Sequence, residues 1–149
     1  MMVRRWLTIA VVASAVVAIS EQAATATSAQ VAKFKSVDAT YAKADHSWTS
    51  ALESLSANAS PSQLSKPSLV YVPAIKTFDS AISSIGFSGK TATDIATVVK
   101  LNGKLITDLS SIKSTKTFIS EFSALDASYM TVQASLAKDL GIPAADVQV

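Results

Sequence analysis

From Val31 onward the apolar residues fall at Val31, Phe34, Val37, Tyr41, Ala44, Trp48, Ala51, Leu52 and Leu55. Steps of three and four draw one stripe along a helix, and Phe34, Tyr41, Trp48 and Leu55 are each seven apart. This spacing predicts a first helix over about 28–57, ending where Asn58-Ala-Ser-Pro-Ser62 gathers turn formers. A second stripe reads Leu64, Ser68, Tyr71, Ile75, Phe78, Ile82 and Ile85. Pro67 and Pro73 lie inside it, and proline removes a backbone donor and crowds the preceding turn. The expectation is a ragged start near Pro67, a bend at Pro73 and a helix over about 67–85 closed by Gly86, the residue best suited to the left-handed turn at a helix end.

Thr91 followed by Asp94 has the spacing of a capping box and predicts a third helix over about 91–112, with Ile95, Val98, Asn102, Leu105, Leu109 and Ile112 on its inner face. Asn102 is the polar exception there. Ser114 or Thr115 opens a fourth helix over about 115–140, whose stripe is Phe118, Phe122, Leu125, Tyr129, Val132, Leu136 and Leu140. Gly141, Ile142 and Pro143 then give a complete helix stop. No segment alternates with the period of a strand. Short connections favour antiparallel neighbours, so the predicted fold is all-α: an up-down-up-down four-helix bundle with the seven-residue stripes inward. A long, kinked array of α-hairpins is the alternative topology.

The residues ahead of the bundle read differently. Arg4 and Arg5, the two arginines of the chain, precede an apolar run from Trp6 to Ile19 that only Thr8 and Ser14 interrupt. Basic start, short apolar stretch and the small residues of Ala24-Thr25-Ala26 are the layout of a signal peptide. The run spans 14 residues, short of the ~20 needed to cross a bilayer as a helix. The expectation is a leader over 1–26, cut after Ala26 with a second choice after Ala29, and a single domain over 27–149 that is secreted and spans no membrane. The neighbours of the Arg4-Arg5 pair fit a twin-arginine signal poorly, which favours general secretion.

Charge narrows the partners. Residues 27–149 carry 11 lysines against 10 acidic residues, without the cationic surplus that nucleic acids or anionic lipids require. The chain has no cysteine, which excludes a lipoprotein anchor, disulfides, thiolate metal sites and covalent haem attachment.

Catalytic and cofactor patterns fail in turn. His46, the one histidine, is expected on the outermost face of the first helix and Met130 just off the inner face of the fourth, which argues against a haem held between them. Metal sites in bundles use inward carboxylates with Glu-x-x-His spacing, whereas residues 27–149 hold only Glu53 and Glu121. Gly86-Phe-Ser-Gly-Lys-Thr91 ends like a phosphate-binding loop, but Ser84 stands where that motif needs glycine. Its structural reading is that Gly86 ends one helix, Gly89 turns the chain and Thr91 caps the next. No Gly-x-Ser-x-Gly elbow is present, and Asn58-Ala-Ser60 is a poor glycan acceptor because Pro61 follows it. The expectation is a protein that is not an enzyme and has no metal or cofactor.

Polar groups on the apolar stripes remain. Tyr41, Tyr71 and Tyr129 each carry a hydroxyl that needs a partner when buried, and Asn102 adds an amide. With Trp48 they outline a candidate inter-helix pocket for a small lipophilic or aromatic ligand. The segment Ile75-Lys-Thr-Phe-Asp-Ser-Ala-Ile82 and the closing Leu136-Ala-Lys-Asp-Leu-Gly-Ile-Pro143, taken with the leader, resemble small exported or lipid-anchored helical proteins of unknown function from high-GC Gram-positive-type bacteria. That resemblance implies a secreted helical domain and brings no catalytic residues. The leading functional expectation is a non-enzymatic extracytoplasmic interaction module for an envelope or extracellular protein; the second is the ligand carrier.

Overall fold

A computed structural model describes residues 26–149 other than Ala57. The leader reading of 1–26 therefore lies outside the described residues, apart from Ala26. Four helices follow one another: α1 (Ser28–Glu53), α2 (Pro61–Ser83), α3 (Gly89–Ser110) and α4 (Thr115–Leu140). A one-turn 3-10 segment, Ala144–Asp146, lies within the residues after α4. Each helix packs against the next in the chain, giving the expected four-helix bundle. One interior runs its length, with Phe34, Tyr41 and Trp48 of α1, Tyr71, Ile75, Phe78 and Ile82 of α2, Val98, Leu105 and Leu109 of α3, and Phe118, Leu125, Val132 and Leu136 of α4.

The helix starts are set by local hydrogen bonds. At α1, the Thr27 hydroxyl accepts the Gln30 N–H at 3.2 Å while the Gln30 side chain accepts the Thr27 N–H at 2.9 Å. Ser60 and Gln63 repeat this box at α2, so two otherwise unpaired donors are satisfied at each start.

Three expected boundaries are corrected. The first helix stops at Glu53, ahead of the expected 57, with Ser54 as its cap. The second begins at Pro61, six residues before the expected 67: Pro61 occupies the first turn, where its missing N–H costs nothing, and Ser60 caps it. The helix then continues through Pro67 and Pro73. The carbonyls they leave without a donor belong to Gln63 and Leu69, both at exposed positions where water can serve them. Thr91 is not a cap. Gly89, at φ +57°, already begins α3 behind Ser88, so Thr91 lies inside the first turn with its side chain buried.

The expected stop after α4 is present. Gly141 has φ +65°, and the Ile142 N–H bonds the Ala137 carbonyl at 3.0 Å. The chain then turns back. The segment 143–149, hereafter the strap, is bonded to α4 through Gln133 and to α1 through Asp38, and so bridges the seam between them; Val147 is fully buried there.

Candidate functional site

Tyr41, Trp48, Tyr71, Asn102 and Tyr129 are all brought into the bundle interior, where they belong to two hydrogen-bonded groups and one aromatic stack. In the stack, Trp48 lies parallel to Tyr71 with ring centres 4.7 Å apart, Tyr71 stacks on Tyr41 at 5.8 Å, and Tyr41 on Phe78 at 4.2 Å. Phe122 of α4 meets Trp48 edge-on at 5.6 Å. Offset and edge-on pairs are the favoured aromatic geometries, so the stripe that marks the helices also locks α1 to α2 and α4.

The first polar group joins Tyr41, Tyr71 and Asp45. The Tyr71 oxygen is 2.6 Å from that of Tyr41 and 2.9 Å from the Asp45 carboxylate. A phenol has one proton, so Tyr71 donates to Asp45 and accepts from Tyr41. The second group crosses three helices: the Tyr129 hydroxyl donates to the Asn102 carbonyl oxygen at 2.6 Å, and the Asn102 amide donates to Asp79 at 2.6 Å. Trp48 donates its indole N–H to Ser68 at 3.3 Å, and the Ser68 hydroxyl passes a bond on to the Leu64 carbonyl.

Burial governs the electrostatics. It pushes the hydroxyls of Tyr41, Tyr71 and Tyr129 far above the usual phenol range, and nearby carboxylates push the same way. The carboxyls of Asp45 and Asp79 are also raised by burial, and the donors from Tyr71 and Asn102 only partly offset that. The cluster is therefore a set of neutral donors facing partly desolvated carboxylates. Among the described residues no three His, Cys, Asp or Glu side chains gather as a metal site.

Sequence reasoning missed Asp38, Asp45 and Asp79. The signal was present: Asp38 and Asp45 each lie four residues after an aromatic of the inner stripe, Phe34 and Tyr41, and so share its face. His46 is exposed, as its register predicts, and Met130 is half exposed on α4.

Every buried side-chain nitrogen and oxygen among the described residues has a hydrogen-bond partner. The polar atoms of the expected pocket are thus directed at one another. An open cleft of about 530 Å³ lies elsewhere, between α3 and α4, lined by Leu101 and Val132 with Lys100, Lys104 and Asp94 at its sides. Comparison with protein-family models, with curated proteins and with solved structures finds no match to this chain.

Because Asn102 serves two partners at once, Asn102→Leu is expected to cost about 2–4 kcal/mol, the sum of two polar groups left unpaired. Urea melts of the two proteins measure this. A cost below that of an ordinary surface substitution would mean that Asp79 and Tyr129 find water instead.

Proposed function

We propose that the chain is an exported, non-enzymatic interaction module that binds an envelope or extracellular protein. The observation carrying this reading is the closure of the interior: Tyr41, Tyr71, Asn102 and Tyr129 spend their polar atoms on each other and on Asp45 and Asp79. Recognition is then left to the outside of the bundle, where Leu69 and Val70 of α2 are 56% and 79% exposed. Native mass spectrometry of protein purified from its own host tests this. The chain mass alone, with retention of an envelope protein that a Leu69→Ser, Val70→Ser variant loses, is expected. A stoichiometric small-molecule adduct would instead favour the carrier reading, for which the α3–α4 cleft offers a volume in the range of ligand sites.

Export gives a second expected outcome. Cleavage after Ala26 leaves the Thr27–Gln30 capping box whole, whereas cleavage after Ala29 removes Thr27 and strips the start of α1. Sequencing of the protein from culture fluid or envelope should therefore begin at Thr27. Cytosolic protein that still carries Met1 would overturn export.

A further inference from the structure

The strap is held mainly through its backbone. The Gln148 N–H lies between the two carboxylate oxygens of Asp38, at 3.0 and 3.1 Å. From α4, the Gln133 side-chain amide donates to the Ala144 carbonyl at 3.1 Å and also to that of Val147. Within the strap itself there is one 3-10 turn, closed by the Asp146 N–H on the Pro143 carbonyl at 2.9 Å. What it covers can be read from two residues of α4. Ile119 and Ala137 are 18 apart, five whole turns, and share one angular position. Ile119 is 45% exposed and Ala137 only 4%, and it is at the Ala137 end of α4, one turn before it at Gln133, that the helix bonds the strap.

Among the described residues Asp38 is the one ionisable side chain that hydrogen-bonds the strap to the helices, and the charge nearest it is acidic. It is 3% exposed. The strap brings Asp146 toward it, which repels its charge. On its own helix Tyr41 stands one turn away, itself under the influence of Asp45 of α1 and Asp79 of α2. From α4 comes Gln133, an uncharged amide. The ion pairs among the described residues are Lys90 with Asp94 and Asp139, and Lys104 with Asp108; none includes Asp38.

We propose that residues 143–149 are a pH-gated strap, docked on the α1–α4 seam while Asp38 is neutral and released as Asp38 ionises, with the four-helix body remaining folded. A desolvated carboxylate without a cation favours its protonated form, and release returns Asp38 to water. In the docked state burial outweighs the Gln148 N–H and raises the Asp38 carboxyl to about 7, from the ordinary 3.8. Docking is therefore strongest below the released value and weakens as pH rises toward the docked one. A gap of about three pH units corresponds to a docking constant that falls by as much as about a thousandfold across that window.

Amide hydrogen exchange by NMR on the full chain tests this, with rates divided by the intrinsic rate at each pH. Gln148 should lose between about a hundredfold and a thousandfold in protection from pH 4.5 to pH 8, while Leu105 in the core of α3 stays protected. In Asp38→Asn, which keeps an acceptor and cannot ionise, Gln148 protection should be flat across the same range. Gln133→Ala should lower that protection at every pH and leave the slope unchanged. The proposal is overturned by a flat wild-type profile, by an equal slope in Asp38→Asn, or by no effect of Gln133→Ala. It is equally overturned if Leu105 loses protection in parallel with Gln148, since the opening would then be global.

Discussion

Replacing Trp48 with alanine is expected to remove about 3–5 kcal/mol of stability, the usual cost of truncating a buried large aromatic. The domain as a whole should have no more than about 5–15 kcal/mol to lose. Trp48 is the point at which α1 touches both α2, through Tyr71, and α4, through Phe122. Its indole also supplies a bond to Ser68. Truncation therefore empties a space that three helices share and that no single side chain can refill. His46, two residues earlier and exposed, supplies the comparison: His46→Ala should stay within about 0.5 kcal/mol of wild type, as surface changes do. Guanidinium melts of the pair measure both. A His46→Ala cost exceeding that of Trp48→Ala would mean the inner face of α1 has been assigned to the wrong residues.

The second large effect is a gain of stability on mild acidification. Asp38 in the folded protein is raised to about 7, first by burial and then by Asp146, against the bond from Gln148. Asp45 and Asp79 are raised as well, again chiefly by burial. Between the unfolded value near 4 and the folded value, the native state holds more protons than the unfolded one, so stability falls as pH rises. The contribution is fully present below about pH 4 and is lost as pH climbs through about 7. For Asp38 alone the shift corresponds to about 2–4 kcal/mol once relaxation of the strap is allowed for. Lys90 and Lys104 are raised by their aspartate partners, but their transitions lie far above this window. Urea midpoints should accordingly be higher at pH 5 than at pH 8. Asp38→Asn should flatten most of the difference, and a midpoint that rises with pH across this range would contradict the burial of these carboxylates.

The bundle was legible because a helix that must bury one face writes that face at a fixed period. Phe34, Tyr41 and Trp48, and equally Phe118, Leu125, Val132 and Leu136, are where that period places them. The end of α4 was legible for a different reason: Gly141, Ile142 and Pro143 each have a local preference that agrees with the others. Boundaries governed by competing preferences were not. Pro67 and Pro73 speak against helix in isolation, yet the buried stripe of α2 outweighs two lost backbone bonds at exposed carbonyls. The Thr91–Asp94 spacing satisfied the rule for a cap, but Gly89 had already begun the helix, and Asp94 bonds instead with Lys90 and Ser135. The polar members of the interior were half legible: the tyrosines and Asn102 stand on apolar stripes and Asp45 lies one turn from Tyr41 on the same face, while Asp79 looks like an ordinary surface residue until α2 and α3 are set side by side. The docking of the strap was not legible: the face of Asp38 could be read from its spacing to Phe34, but the backbone groups that Asp38 and Gln133 hold lie 110 and 11–14 residues away and have no period of their own.

The stack that begins at Trp48 also equips the protein with its own optical gauge. The chain has two tryptophans, Trp6 and Trp48, so residues 27–149 contain a single indole chromophore. Parallel rings 4.7 Å apart couple their electronic transitions, and the indole sits in an asymmetric, rigid cage. The folded bundle should therefore show strong near-ultraviolet circular dichroism from the coupled rings and blue-shifted emission from Trp48. A state that kept its helices but loosened their packing would retain the far-ultraviolet signal and lose these two together. Loss of tertiary order can thus be followed in the unlabelled protein, apart from loss of helix.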